Sequence, residues 1–146
     1  MGDVVYAATQ FRAQPIREAS RHRRTTVLLV DPDPATLAAM EQALRDEGFV
    51  TATAFDEAGA VAAAQRPGAL GLLVASTDAI GMQAVRLADA VRRFHPALQV
   101  LYTVKSEDEL LVEGLGLSGD DDVLEKPFSG SELVEAVSSL LRISIS

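Results

Sequence analysis

What most constrains this chain is a strict alternation. From Thr26 onward, short β-branched, apolar runs take turns with segments of helical spacing. Val27-Leu28-Leu29-Val30 is a continuous apolar run, as expected of a strand buried on both faces. Asp33 then offers an N-cap with Pro34 at the first helical position. Leu37, Met40 and Leu44 follow at helical spacing, and Gly48 stops the helix. Phe49 to Ala54 reads as a second strand. Asp56 to Gln65 reads as an alanine-rich helix ended by Pro67-Gly68, and Leu70 to Ala75 as a third strand. Gly81 closes the next loop, and Val85, Leu87, Ala88 and Val91 line a helix that ends before His95-Pro96. Val100 to Val104 is the fourth strand. A fourth helix from Glu107 to Leu115 is acidic at its start and weakened by Gly114. Val123-Leu124-Glu125 is a short fifth strand. Ser129-Gly130-Ser131-Glu132 is a capping box that opens the last helix, whose apolar face carries Leu133, Val137, Leu140 and Leu141.

Five β–α units in alternation predict a doubly wound (βα)5 fold: a five-stranded parallel sheet with right-handed crossovers and helices on both faces. The 146 residues suffice for one such domain, expected over 26–146. Residues 1–25 stand apart as a basic arm or tail, in which Pro15 to Arg24 could form a short helix. Residues 1–26 carry five arginines against two acids. The remainder carries 8 basic and 19 acidic residues, a balance of −11. So acidic a body is a poor surface for phosphate backbones, which argues against nucleic acid and for protein partners. Cysteine is absent, which removes disulfides, thiolate metal sites and cysteine nucleophiles. No apolar run is long enough to span a bilayer and no export signal is visible, so the expected location is the cytoplasm, away from the membrane.

In doubly wound sheets, chemistry sits at the carboxyl ends of the strands. The first strand ends in Asp31-Pro32-Asp33-Pro34, the third in Ser76-Thr77-Asp78, the fourth in Lys105-Ser106 and the fifth in Lys126-Pro127-Phe128. Carboxylates after the first strand suit a hard cation such as Mg²⁺, although Asp33 has a plainer role as a helix cap. Lys126-Pro127 could pin a positive charge over the site, through a cis peptide if the bond takes that form.

These motifs resemble the receiver domain of two-component response regulators over residues 26–142. The resemblance rests on Val27 to Pro34, on His95-Pro96-Ala97-Leu98-Gln99-Val100, and on Gly119-Asp120-Asp121-Asp122-Val123-Leu124-Glu125-Lys126-Pro127-Phe128. It implies a flavodoxin-like sheet and, in the family, phosphoryl transfer onto an aspartate assisted by Mg²⁺ and a lysine. Carried over residue by residue, the acceptor position falls on Ser76, with Ala75 and Thr77 on either side. The second acid of the opening pair falls on Pro32, the switch Ser/Thr on Val104 (with Thr103 adjacent), and the rotating aromatic on Val123. Only Asp31 and Lys126 keep the family's site chemistry, and the position of Asp78 contributes a backbone carbonyl to the metal in the family.

The resulting expectation is a degenerate pseudo-receiver: a non-enzymatic protein-interaction module in signal transduction, without aspartyl phosphorylation, metal or cofactor. The resemblance places the interaction face on the fourth helix, fifth strand and last helix. Here that face carries Glu107, Glu109, Glu113, Asp120, Asp121, Asp122, Val123 and Glu132. Its acids would suit a basic partner surface, a second copy in a homodimer, or the chain's own arm. The alternative is a working phosphoreceiver in a phosphorelay, with Asp78 as acceptor and Mg²⁺ held by Asp31 and Asp33. A flavin-nucleotide binder is disfavoured, because Asp31-Pro32-Asp33-Pro34 would repel a phosphate.

Overall fold

In the computed structural model, the described residues are 25–77, 83–105 and 122–141. Residues 1–24 of the expected arm, residues 78–82, the expected helix Glu107–Leu115 and residues Asp120 and Asp121 lie outside them. Five strands are described: β1 (Thr25–Val30), β2 (Val50–Ala54), β3 (Ala69–Ser76), β4 (Gln99–Val104) and β5 (Asp122–Glu125). The four described helices are α1 (Pro34–Asp46), α2 (Glu57–Ala64), α3 (Gln83–Arg92) and α4 (Gly130–Leu141). All strand pairs are parallel, in the order β2-β1-β3-β4-β5. This is the expected flavodoxin-like sheet. Its strand order reverses between β1 and β3, which makes the ends of those two strands the place for a site.

The apolar runs become strands because side chains alternate across a sheet covered on both faces. Leu28, Val30, Leu73, Ala75, Val100, Tyr102 and Val104 face one core, closed by α2 and α3. Val27, Leu29, Leu72, Val74 and Leu101 face the other, closed by α1 and α4. One irregularity sets the phase of β3: Thr26 pairs with Leu70 but Val27 pairs with Leu72, so Gly71 is an extra residue. A Cβ at Gly71 would run into the side chain of Thr25 and meet Leu141 at 3.3 Å, so the close approach needs glycine.

Local signals fix the helix ends. Asp33 caps α1 with Pro34 at its first position, Asp56 caps α2, and Gly48 leaves α1 at φ 90°. At the start of α4 the box is reciprocal: the Ser129 N–H donates to Glu132 Oε1 (2.8 Å) and the Glu132 N–H to Ser129 Oγ (3.1 Å). Elements differ from expectation mainly at their edges, with β1 starting at Thr25 and β2 at Val50. On α3, Ala84 takes the fully buried position beside Leu87, Ala88 and Val91, while Val85 is only half-buried. On α4, Val134 and Ser138 are buried alongside Leu133 and Val137.

Ser129→Ala removes one half of the capping box and should lower stability by about 1 kcal/mol. The urea midpoint of the variant, at unchanged m-value, measures that loss.

Candidate functional site at the strand ends

The ends of β1, β3 and β5 converge. Asp31 follows the buried run of β1 and is itself 1% exposed. Ser76 closes β3 and is fully buried. The register pairs Val30 with Ala75, which sets Asp31 and Ser76 side by side on adjacent strands. Lys126 arrives from β5, and its backbone N–H donates to the Val104 carbonyl at 2.6 Å, which anchors the residue at the end of β4. Its peptide bond to Pro127 is cis. The lysine side chain, 17% exposed, then reaches back across the sheet. Nζ lies 3.0 Å from Asp31 Oδ2 and donates to Ser76 Oγ at 3.2 Å.

The other Asp31 oxygen is also engaged. Oδ1 accepts from the Asp33 N–H at 2.8 Å, bridging two residues in an Asx turn with Pro32 at its centre. Proline fixes φ and donates no hydrogen bond, so Pro32 shapes this turn and offers no polar side chain to the site. Asp33 points elsewhere: its Oδ2 accepts from the Thr36 hydroxyl and from the Thr36 N–H at 3.1 Å. Those bonds, the hydroxyl first, hold the Asp33 carboxyl below its ordinary 3.8.

The neighbouring positions are filled by groups that close the structure. Thr77 donates from its N–H (3.0 Å) and its hydroxyl (3.3 Å) to the Thr103 carbonyl, tying the end of β3 to β4. Val104 is buried in the core beneath α2 and α3. Thr103, one residue away, takes the opposite face by strand alternation, and its buried hydroxyl finds no hydrogen-bond partner. Val123 is half-buried and packs against the same core as Val104, so much of its surface is spent on the fold. Asp122 and Glu132 are exposed on β5 and α4. Asp78, Glu107, Glu109, Glu113, Asp120 and Asp121 lie outside the described residues. The Asx turn at Asp31 and the Thr77 tie are features the sequence reading did not single out. Asp-Pro-Asp after a buried strand was the available signal for the first.

Comparison with known proteins agrees with this fold. Residues 27–138 match the family described as the response regulator receiver domain. The chain is 39% identical over 120 residues to TcrX of Mycobacterium tuberculosis, covering 80% of this chain and 50% of that protein. It is 41% identical over 118 residues to the transcriptional regulatory protein PrrA of the same organism, covering 80% and 49%. It thus spans about half the length of these relatives. Among solved structures, a receiver protein from Sinorhizobium medicae superposes with a TM-score of 0.69 at 27% identity, over 82% of this chain and 96% of that one. The receiver domain of NtrX from Brucella abortus gives 0.67 at 26% identity, over 81% and 99%. The chain belongs to the response regulator receiver family of two-component signalling.

Two measurements probe the site. Asp31→Ala strands a partly buried ammonium and should cost about 1–3 kcal/mol of stability, with Asp31→Leu/Lys126→Met recovering part of it. Urea midpoints decide this. For Asp33, a folded-state pKa below 3.8 means its stabilisation is present above 3.8 and lost as pH falls through the lower, folded value. The stability gap between wild type and Asp33→Asn should therefore close as the pH is lowered below 3.8.

Proposed function

We propose that this receiver domain signals by binding protein, in the cytoplasm, without taking a phosphoryl group on an aspartate. One observation carries the reading: the site lysine, Lys126, reaches the end of β3 and meets the Ser76 hydroxyl, not a carboxylate. A buried serine needs a general base to become a nucleophile. The Lys126 ammonium that donates to it, paired with Asp31 at 3.0 Å, cannot serve as one.

The donor set also fits Mg²⁺ poorly. That ion needs near-octahedral oxygen ligation with enough negative charge to offset its dehydration. Asp31 is engaged by Lys126 and the Asp33 N–H, Asp33 caps α1, and Pro32 offers no ligand. Among the described residues, no cluster of three or more His, Cys, Asp or Glu could hold a metal. No described helix is long and apolar enough to cross a membrane.

The partner surface in this reading carries Asp122 and Val123 on β5 and Glu132 on α4, together with Glu107, Glu109, Glu113, Asp120 and Asp121, which the family resemblance assigns to the same face. It suits a basic protein surface, by charge complementarity that sets partner choice and encounter rate more than affinity. PrrA is named a transcriptional regulatory protein and TcrX a probable one, which makes a transcriptional pathway the natural setting for such a module.

Incubation with acetyl phosphate and Mg²⁺ should leave the intact mass unchanged. A gain of one phosphoryl group that is abolished by Asp78→Asn would overturn the proposal and assign a working phosphoreceiver, with Asp31 and Asp33 as its metal ligands.

A further inference from the structure

The seam between α1 and α4 carries two hollows that meet at Ala43 and Gly130. A Cβ on Gly130 would meet that of Ala43 at 3.1 Å, so the helices touch where the hollows divide. The first hollow, about 290 Å³, is largely apolar, with Ala39, Met40, Phe128 and Leu133 in its wall and the stem of Lys126 at its margin. The second, about 540 Å³, has Val134 in its wall and a rim of three exposed acids, Asp46, Glu47 and Glu135.

The chain before β1 has the matching pattern. Arg17, Arg21, Arg23 and Arg24 lie next to the domain, while Val4, Val5, Tyr6, Phe11 and Ile16 lie farther out. Its point of departure is fixed by Gly71, over which both Thr25 and Leu141 sit. The arm therefore leaves beside the C-terminal end of α4. From Leu141 back to Glu135 is about 9 Å along the helix. Residues 17–24, which can span up to about 28 Å when extended, reach that far with slack. Leaving the domain, the arm would meet the acidic hollow with its arginines first and the apolar hollow with its apolar residues second.

We infer that residues 1–24 dock in cis along the α1–α4 seam, with arginines 17–24 over Asp46, Glu47 and Glu135 and the apolar residues before them in the hollow beside Phe128. Exposed ion pairs contribute little and are screened by salt, so the apolar half of the arm must supply most of the hold. The acids this docking uses, Asp46, Glu47 and Glu135, are not among those assigned to a partner, so the docking stands independently of the proposed function.

The absence of cysteine allows a direct test in the full chain. Ala39 lines the apolar hollow, and Ala62 is exposed on α2, across the sheet. An undocked tether visits both at comparable effective concentration, whereas a docked one favours the first. Under mild oxidation, Ala13→Cys/Ala39→Cys should close an intrachain disulfide about tenfold faster than Ala13→Cys/Ala62→Cys. Adding Asp46→Lys and Glu135→Lys, or raising the salt, should shrink that ratio. In the chain without added cysteines, trypsin should cut at Arg21 to Arg24 faster once the two acids are reversed. Equal closure rates together with unchanged trypsin cleavage would show an undocked tail. Interchain disulfides as the main product would assign the seam to a second copy's arm. Either result overturns the inference.

Discussion

A carboxylate with 1% of its surface exposed is tolerable only if its charge is matched and its oxygens accept hydrogen bonds. Asp31 meets both conditions through two different parts of the chain. Lys126 comes from 95 residues downstream and Asp33 from the turn next door. That pairing links an interior strand of the sheet to its edge, since Asp31 follows β1 and Lys126 follows β5. It also determines what Ser76 can be. A hydroxyl beside a matched ion pair adds a hydrogen bond without adding charge. A second carboxylate there would leave a net negative charge, which a receiver with an intact acidic pair balances with its metal. Among the described residues, Asp31 and Lys126 thus match each other's charge, and Ser76 adds a hydrogen bond to the pair.

Much of the fold was legible because each local signal agreed with the others. Asp33-Pro34, Gly48 and the Ser129–Glu132 box each mark a helix end that the structure realises. The buried runs of β1, β3 and β4 read correctly because a strand covered on both faces shows a nearly continuous apolar run in sequence. Val85 packs half-buried against the core, and Ala84, which the sequence reading did not single out, is fully buried beside it. Volume alone does not decide burial: Phe55 and Phe94 are large and apolar but stand 57% and 45% exposed.

The site was legible differently. No periodicity brings together Asp31, Ser76 and Lys126, which are 45 and 50 residues apart in sequence. Their convergence follows from strand order, and strand order became readable only through resemblance to a known family. Chemistry that depends on backbone geometry stayed hidden. The Asx turn that occupies Asp31 Oδ1 and the N–H and hydroxyl that Thr77 gives to Thr103 require knowing which atoms face each other.

The extra residue at Gly71 has a consequence for how this site can change over generations. Above it, the pairing of β3 with β1 runs in step from Val27–Leu72 to Val30–Ala75, so Ser76 is positioned by the neighbouring strand and not by the length of the connection from Pro67. The bulge acts as an expansion joint. A residue gained or lost between Arg66 and Ala69 can be absorbed below Leu72, leaving the upper strand and the residue facing Lys126 where they are. What the lysine meets is thus insulated from length variation in the loop beneath it, and can be altered only by substitution at position 76 itself or by disturbing the joint.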